Sequence, residues 1–322
     1  MKIKYFLKGY IKGKLRKVFL FLTKNSSIAR RYLINHERVG GNSLYCYRVW
    51  MKHLKYWSLV NDEVPKVVVE FGPGKSLGVG LSALISGSEK LFALEKNQYW
   101  NIEDNVKVFD ELVELFKAET KTESINATFE NTSNKPLDFP SKILNNTHLS
   151  NSLKADRIQS IRKELFDPFN PNNTYIVSLI PWEKTDVIQE NTVDYIVSLT
   201  VLQHIDNLPF AYESMHRWLK NGGFVSHKID FKSMNRTKIW NEHWTLSESE
   251  WDFVTGQSFV INREPLSSHL KLLEANDFKI LNDVRDSSKN EFERKDLDDK
   301  FKHLDDKDLT TSGYYYFAQL QK

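Results

Sequence analysis

Two carboxylates and a pair of glycines are the residues of this chain best spaced for chemistry. Val67-Val68-Val69-Glu70-Phe71-Gly72-Pro73-Gly74-Lys75-Ser76-Leu77-Gly78 passes from an apolar β-branched run through an acid into closely spaced glycines. Glycines at such a break let backbone N–H groups approach a ligand with no Cβ in the way. About twenty residues beyond the turn, Leu91-Phe92-Ala93-Leu94-Glu95 again ends in an acid, where a carboxylate accepts hydrogen bonds from both hydroxyls of a ribose. Lys75 follows the last close glycine with no four-residue arch before it, so the loop is not of the Gly-Lys-Ser/Thr phosphate-binding type.

These groups need elements to hold them. The run before the glycines predicts a buried parallel strand, and residues 77–85 are apolar enough for a helix packed on a sheet. Val193-Asp194-Tyr195-Ile196-Val197-Ser198 predicts a later strand, and Leu199-Thr200-Val201-Leu202-Gln203-His204-Ile205 follows it. A helix is expected over 209–219. The turn Lys220-Asn221-Gly222-Gly223 then leads into the strand Phe224-Val225-Ser226-His227-Lys228-Ile229-Asp230. Further helices are expected over 99–117 and 266–276, and further strands over 175–180, 278–284 and 314–320.

In this order the motifs resemble the class I S-adenosylmethionine-dependent methyltransferases: acid-Phe-Gly-x-Gly, an acid-ended second strand, Asp-x-Ile-x-Ser, Leu-x-His-Ile, then Leu-Lys-x-Gly-Gly. The resemblance covers 67–230. It continues through Trp240, Trp244, Trp251 and Asn262-Arg263 to the helix at 266–276, where the chain is similar to bacterial methyltransferases that accompany surface-polysaccharide synthesis. It implies an α/β fold with a Rossmann-like seven-stranded sheet, mostly parallel with an antiparallel last strand, and helices on both faces. It also implies S-adenosyl-L-methionine as cofactor. Glu70, Phe71, Gly72, Pro73 and Gly74 would then wrap its amino-acid and ribose portion, with Glu95 on the ribose hydroxyls, and Trp182 and Leu199 would complete the site, Trp182 flanking the adenine.

A hydroxyl acceptor calls for a base that takes the proton as attack proceeds. His204 and Asp230 both follow strands, at the carboxyl ends where open α/β sheets bind ligands. Sugar O-methyltransferases of this fold carry a His in the Leu-x-His motif and an Asp beyond the fifth strand, which implies His204 as base and Asp230 as its orienting partner. A structural His204, bonded to its own loop, accounts for the same motif. His227 shares a strand face with Val225 and Phe231 and suits an orienting role. No compact motif such as His-x-x-x-His points to a metal.

Composition sets the remaining bounds. The 322 residues support one large domain or one and a half, and the single cysteine, Cys46, leaves no intramolecular disulfide and points to a reducing cytoplasm. The formal charge is +3, yet residues 1–24 hold eight Lys or Arg and no acid, leaving net −5 elsewhere. Ile3, Phe6, Leu7, Tyr10, Ile11, Leu15, Val18, Phe19 and Leu22 recur at helical spacing, with Lys4, Lys8, Lys12 and Arg16 on another face. Such a basic amphipathic helix suits the anionic inner face of the cytoplasmic membrane. Docking on the protein's own core or on a second subunit fits equally. Its apolar runs are too short to span a bilayer, and interrupting lysines with no small-residue cleavage site argue against a signal peptide.

Residues 25–65 are expected to form a helical cap. Arg30, Arg31, Arg38 and Arg48 lie in it, and Tyr45, Tyr47 and Trp50 serve either as pocket lining or as core. The catalytic domain is expected over 66–322. It carries a polar insert at about 118–173 that composition makes a mobile loop with one short helix over 155–165, either a lid or surface decoration. Asn-x-Ser/Thr triplets at Asn126, Asn131 and Asn145 are read as compositional chance. The charged stretch 286–308 is expected to be solvated. An acidic body without a basic-aromatic stripe, and Ser198-Leu199-Thr200-Val201 in place of an Asn/Asp-Pro-Pro-aromatic motif, disfavour RNA and DNA as substrates. Three readings stay open: a sugar O-methyltransferase, a methyltransferase of a small metabolite or quinone, and a non-catalytic cofactor-binding subunit. A lipid-linked acceptor would account for the basic helix and would want a wide cleft lined by Trp240, Trp244, Trp251 and Arg263.

Overall fold

The computed structural model describes residues 41–120, 139–183, 188–256 and 261–322. The basic segment 1–24, Arg30, Arg31, Arg38, Asn126 and Asn131 lie outside the described residues. Seven strands form one sheet: β1 (Val67–Phe71), β2 (Lys90–Leu94), β3 (Ile176–Leu179), β4 (Val193–Leu199), β5 (Leu219–Asp230), β6 (Phe278–Ser287) and β7 (Thr311–Leu320). Their order is β3-β2-β1-β4-β5-β7-β6. The first five strands are parallel, and β7 runs antiparallel to both β5 and β6. This is the sheet the motifs predicted. Helices α1 (Ser43–Trp57), α2 (Gly78–Ile85), α3 (Ile102–Lys117), α4 (Asn146–Ser152), α5 (Ala155–Glu164), α6 (Leu208–Trp218), α7 (Glu248–Thr255), α8 (Leu266–Ala275) and α9 (Asp306–Thr310) complete the described elements.

The central strands read as unbroken apolar runs because both their faces are covered. Val68 and Tyr195 face a core built with α1, α2 and α3, while Val69, Phe71 and Ile196 face a second core built with α6 and α8. The same alternation fixes where polar residues point: Glu70 goes with Val68 toward α2, and His227 goes with Val225 toward α6 and α8. Asn42 starts α1 by accepting from the Tyr45 amide at 2.7 Å. The helix then descends along β5, with His53 Nδ1 2.7 Å from Ser226 Oγ and the Trp57 ring 5.3 Å from Phe224. Its N-terminus therefore lies over the carboxyl edge of the sheet, where Cys46 packs so tightly on Gly78 that a Cβ there would sit 2.5 Å from Sγ.

Three expectations are corrected. Lys220-Asn221-Gly222-Gly223 is not a turn before a strand but part of β5: pairing passes from Val193↔Leu219 to Tyr195↔Phe224, a bulge that Gly222 accommodates at φ +79°. The later part of the insert is not a mobile loop. Ile143, Leu144, Leu149, Ile161 and Leu165 are buried in the main core, and Arg157 donates at 2.8 Å to Leu84 O in the last turn of α2 and to Ser88 O just beyond it. Asn145 caps α4 by accepting from the His148 amide at 3.0 Å. The stretch 286–308 is only partly solvated, because Leu297, Phe301 and Leu304 bury against Trp244 in a small core of their own. No helix among the described residues is long and apolar enough to cross a membrane.

Candidate active site

β1 delivers Glu70 to the sheet's carboxyl edge, where Oε2 accepts from the Gly80 amide at 2.9 Å. Burial pushes its carboxyl up to about 8; the Gly80 bond opposes this and the nearby Glu95 charge adds to it. Gly72 and Gly74 then adopt φ +68° and +69°, a left-handed conformation that glycine takes without strain. A Cβ on Gly74 would meet only Gly72 O at 3.9 Å, so one side of the turn is open for a ligand. On Gly72 a Cβ would sit 2.5 Å from Val201 Cγ2, which locks this turn to the loop after β4. Glu95, just past β2, accepts from the Gly74 amide at 3.1 Å and from the Lys96 amide at 3.0 Å. Pro73 is half-buried between the two glycines. The cradle and the carboxylate thus meet, as a ribose-bearing cofactor requires.

Phe71 and Trp182 contribute differently from the other expected cofactor residues. The Phe71 ring turns away from the edge into the core, 5.2 Å from Trp182 and 6.0 Å from Trp218, so what it offers the crevice is backbone. The Trp182 amide bonds Glu95 O at 3.0 Å, which sets the segment after β3 beside the acid. Its ring is 5% exposed, packed against Phe71 and 5.7 Å from Phe210. Leu199 is half-buried at the end of β4, paired with Lys228.

Beyond Leu199 the chain makes a strained bend. Thr200 has φ +53°, uncommon for a β-branched residue, and its amide bonds Lys228 O at 2.7 Å. The bend opens a 3₁₀ turn, Leu202–His204, in which Gln203 Nε2 donates to Thr200 O at 2.9 Å. Asn262 clamps this turn from outside. Its Nδ2 donates to Leu202 O at 2.8 Å and Ile205 O at 3.0 Å, and its amide to Gln203 O at 2.9 Å. The His204 imidazole so held is half-exposed. Asp230 ends the adjacent strand with its side chain 19% exposed, accepting from the Lys232 amide at 2.9 Å and lying 3.2 Å from Lys232 Nζ. Both candidates for proton transfer thus occupy the edge that carries the glycine turn. His227 does not: it is buried beneath, with Nδ1 2.6 Å from Ser198 Oγ, and burial holds its pKa well below the ordinary value.

The expected Trp-lined cleft is corrected in part. Trp244 is core, 1% exposed, its indole donating to Arg263 O at 2.9 Å. Arg263 is structural: its guanidinium lies over Phe301 and Trp251, donates to His243 O and Leu246 O, and pairs with Glu248 at 2.8 Å. Trp240 donates to Lys289 O at 3.0 Å. Trp251 and Arg263 do border a cavity of about 680 Å³, within the range of small-molecule sites, between Asp206–Pro209, α7 and α8. Tyr47 and Trp50 are core, whereas Tyr45 is half-buried and close enough to Glu70 for that charge to help raise its phenol pKa, burial being the larger cause. Sequence reasoning missed the exposed Lys96–Asp206 ion pair that joins the loops after β2 and β4. Nothing in the sequence signals the pair, since Lys96 follows the second strand closely while Asp206 lies seven residues beyond β4.

Residues 163–226 match a family model described as a methyltransferase domain. The match runs from the end of α5 through β3, β4 and α6 into β5, and does not include the glycine turn. A comparison with curated protein sequences finds no match. Similar solved structures include an S-adenosylmethionine-dependent methyltransferase from Mesorhizobium loti, at 8% identity over 84% of this chain and 97% of that one, TM-score 0.40. Another, from Methanosarcina mazei, has 10% identity over 83% and 97%, TM-score 0.42. The [4+2]-cyclase SpnF has 10% identity over 85% and 80%, TM-score 0.41. At these scores the likenesses add nothing to what the strand order already establishes. The matched methyltransferase segment lies within a seven-stranded sheet of the order and direction that the sequence motifs implied, and S-adenosylmethionine is the cofactor that this resemblance implies.

Proposed function

We propose that the protein methylates a hydroxyl of a sugar, within a polysaccharide or a lipid-linked glycan precursor. The observation that carries this reading is the half-exposed His204 imidazole on a braced turn, with the Asp230 carboxylate on the neighbouring strand at the edge that holds the glycine turn. The cofactor supplies an activated methyl group on a sulfonium. The chain's task is then to align a hydroxyl and remove its proton. His204 accepts that proton, and the Asp230 carboxylate favours the imidazolium that forms. Gly72, Gly74 and Glu95 fix the cofactor, and α1 roofs the site.

The cavity beside the His204 turn favours a polyhydroxyl acceptor over a quinone, because seven of its lining side chains are charged. A lipid-linked acceptor would meet the enzyme at the inner face of the cytoplasmic membrane, where the eight cations of residues 1–24 would hold it. The test uses S-adenosylmethionine tritiated at its methyl group and the glycan fraction of cells lacking this protein. Label in an O-methyl sugar is the expected result. Label only in small metabolites or quinones, or none in any fraction, would contradict the proposal.

A further inference from the structure

We infer that the cavity between Asp206–Pro209, α7 and α8 is an extended acceptor subsite, which binds the sugar residues flanking the one that is methylated. This rests on the sugar O-methyltransferase reading and makes a narrower claim: the enzyme takes a chain, not a free monosaccharide. Place is the first argument. Asp206 lies two residues past His204, and Asn262 forms part of the cavity wall while its side chain clamps the carbonyls on either side of His204. A ligand in the cavity therefore leans on the same residue that sets the imidazole.

Size and chemistry agree with place. About 680 Å³ is more than one pyranose ring fills. Sugars present apolar ring faces and polar edges, and this lining alternates in the same way. Trp251 and neighbouring aliphatic groups form the apolar part. Asp252, Glu264 and Lys271 stand around it and make no ion pair among the described residues, unlike Glu248, which pairs with both Arg263 and Lys300. Asp252 feels the Arg263 charge but forms no contact ion pair with it, so its oxygens, like those of Glu264, can accept from vicinal hydroxyls, and a bonded hydroxyl is discriminated strongly from a missing one. Asp252 and Lys271 are exposed, so they grip a chain that passes out of the cavity.

The test uses glycan from cells lacking the protein, cut and sized into short and long fragments, with tritiated S-adenosylmethionine. The wild-type protein should favour long over short fragments in kcat/KM. In Asp252→Asn/Glu264→Gln and in Lys271→Ala that preference should fall about tenfold, the worth of a lost charge-assisted contact. Ser268→Trp, which fills the cavity from α8, should abolish it. Cooperative thermal unfolding verifies that each variant is folded. Equal kcat/KM for short and long fragments, or a preference unchanged in folded variants, would overturn the inference. Failure of every fragment to take label would instead refute the sugar reading itself.

Discussion

Glu70 is 4% exposed, and burial pushes its carboxyl up to about 8, which favours the protonated form at pH 7. S-Adenosylmethionine carries an ammonium and a sulfonium. Positive charge arriving beside Glu70 favours the carboxylate, so binding should expel up to one proton. Calorimetry at pH 7 in buffers of different ionisation heat reads this directly. The apparent enthalpy should vary with buffer in the wild type and not in Glu70→Gln; a buffer-independent wild type would refute it. For His204, replacement by Ala should lower turnover about 10²–10⁴-fold with little change in cofactor affinity. Asp230→Asn should cost as much or less, and the pair should be non-additive if they act as one unit. An unaffected His204→Ala would return the residue to a structural role. Asn262→Ala removes both side-chain bonds to the His204 turn and should reduce kcat about 10- to 100-fold through misplacement, again sparing cofactor affinity.

Four buried histidines sit on elements that the fold brings together: His53 on α1, His227 on β5, His269 on α8 and His243 in a 3₁₀ turn. Burial lowers His53, His243 and His269 to about 3, and His227 well below the usual 6.5. The unfolded chain therefore binds more protons below about pH 6.5, so stability is full above that value and lost as pH falls toward 3. Each histidine contributes at most about 1.4 kcal/mol per pH unit. Glu70 acts in the opposite sense, since its folded pKa is raised: its contribution is complete below about pH 4.5 and is lost as pH rises through 8. Four groups outweigh one, and urea midpoints should fall steeply from pH 6.5 to 4.5. A flat profile there would contradict the burial of these imidazoles. None of this was visible in sequence, because a histidine's burial depends on the partners that cover it. The strands and glycine turn were legible for a local reason: a strand covered on both faces is a continuous apolar run, and its end is marked by glycine. Contacts of long separation were not. Asn262 binds carbonyls 57 and 60 positions earlier. Phe301 and Leu304 sit among charges that suggest solvent, and their burial depends on Trp244. A buried guanidinium such as Arg263, stacked on Trp251 and Phe301, looks in sequence like any cleft-lining arginine.

Taken as a whole, the molecule has an acidic body and a basic leading segment. Each Lys or Arg near an anionic surface contributes about 1 kcal/mol, so on the proposed membrane reading the eight in residues 1–24 would hold the protein there reversibly. Deleting 1–24 should release the protein from vesicles containing phosphatidylglycerol and preserve cofactor binding, and salt should weaken attachment of the full chain. Unfolding or loss of oligomeric state on deletion would mean that the segment is core. The central claim is that parts far apart in the chain, the turn after β1 and the acid after β2, form one cofactor crevice beneath α1. Calorimetric titration of the full chain with S-adenosylmethionine tests it most directly. One molecule should bind per chain, Glu95→Ala should weaken binding at least about tenfold through lost hydroxyl contacts, and Gly74→Val should abolish it by filling the open side of the turn. Unchanged affinity in Gly74→Val and Glu95→Ala would contradict the account.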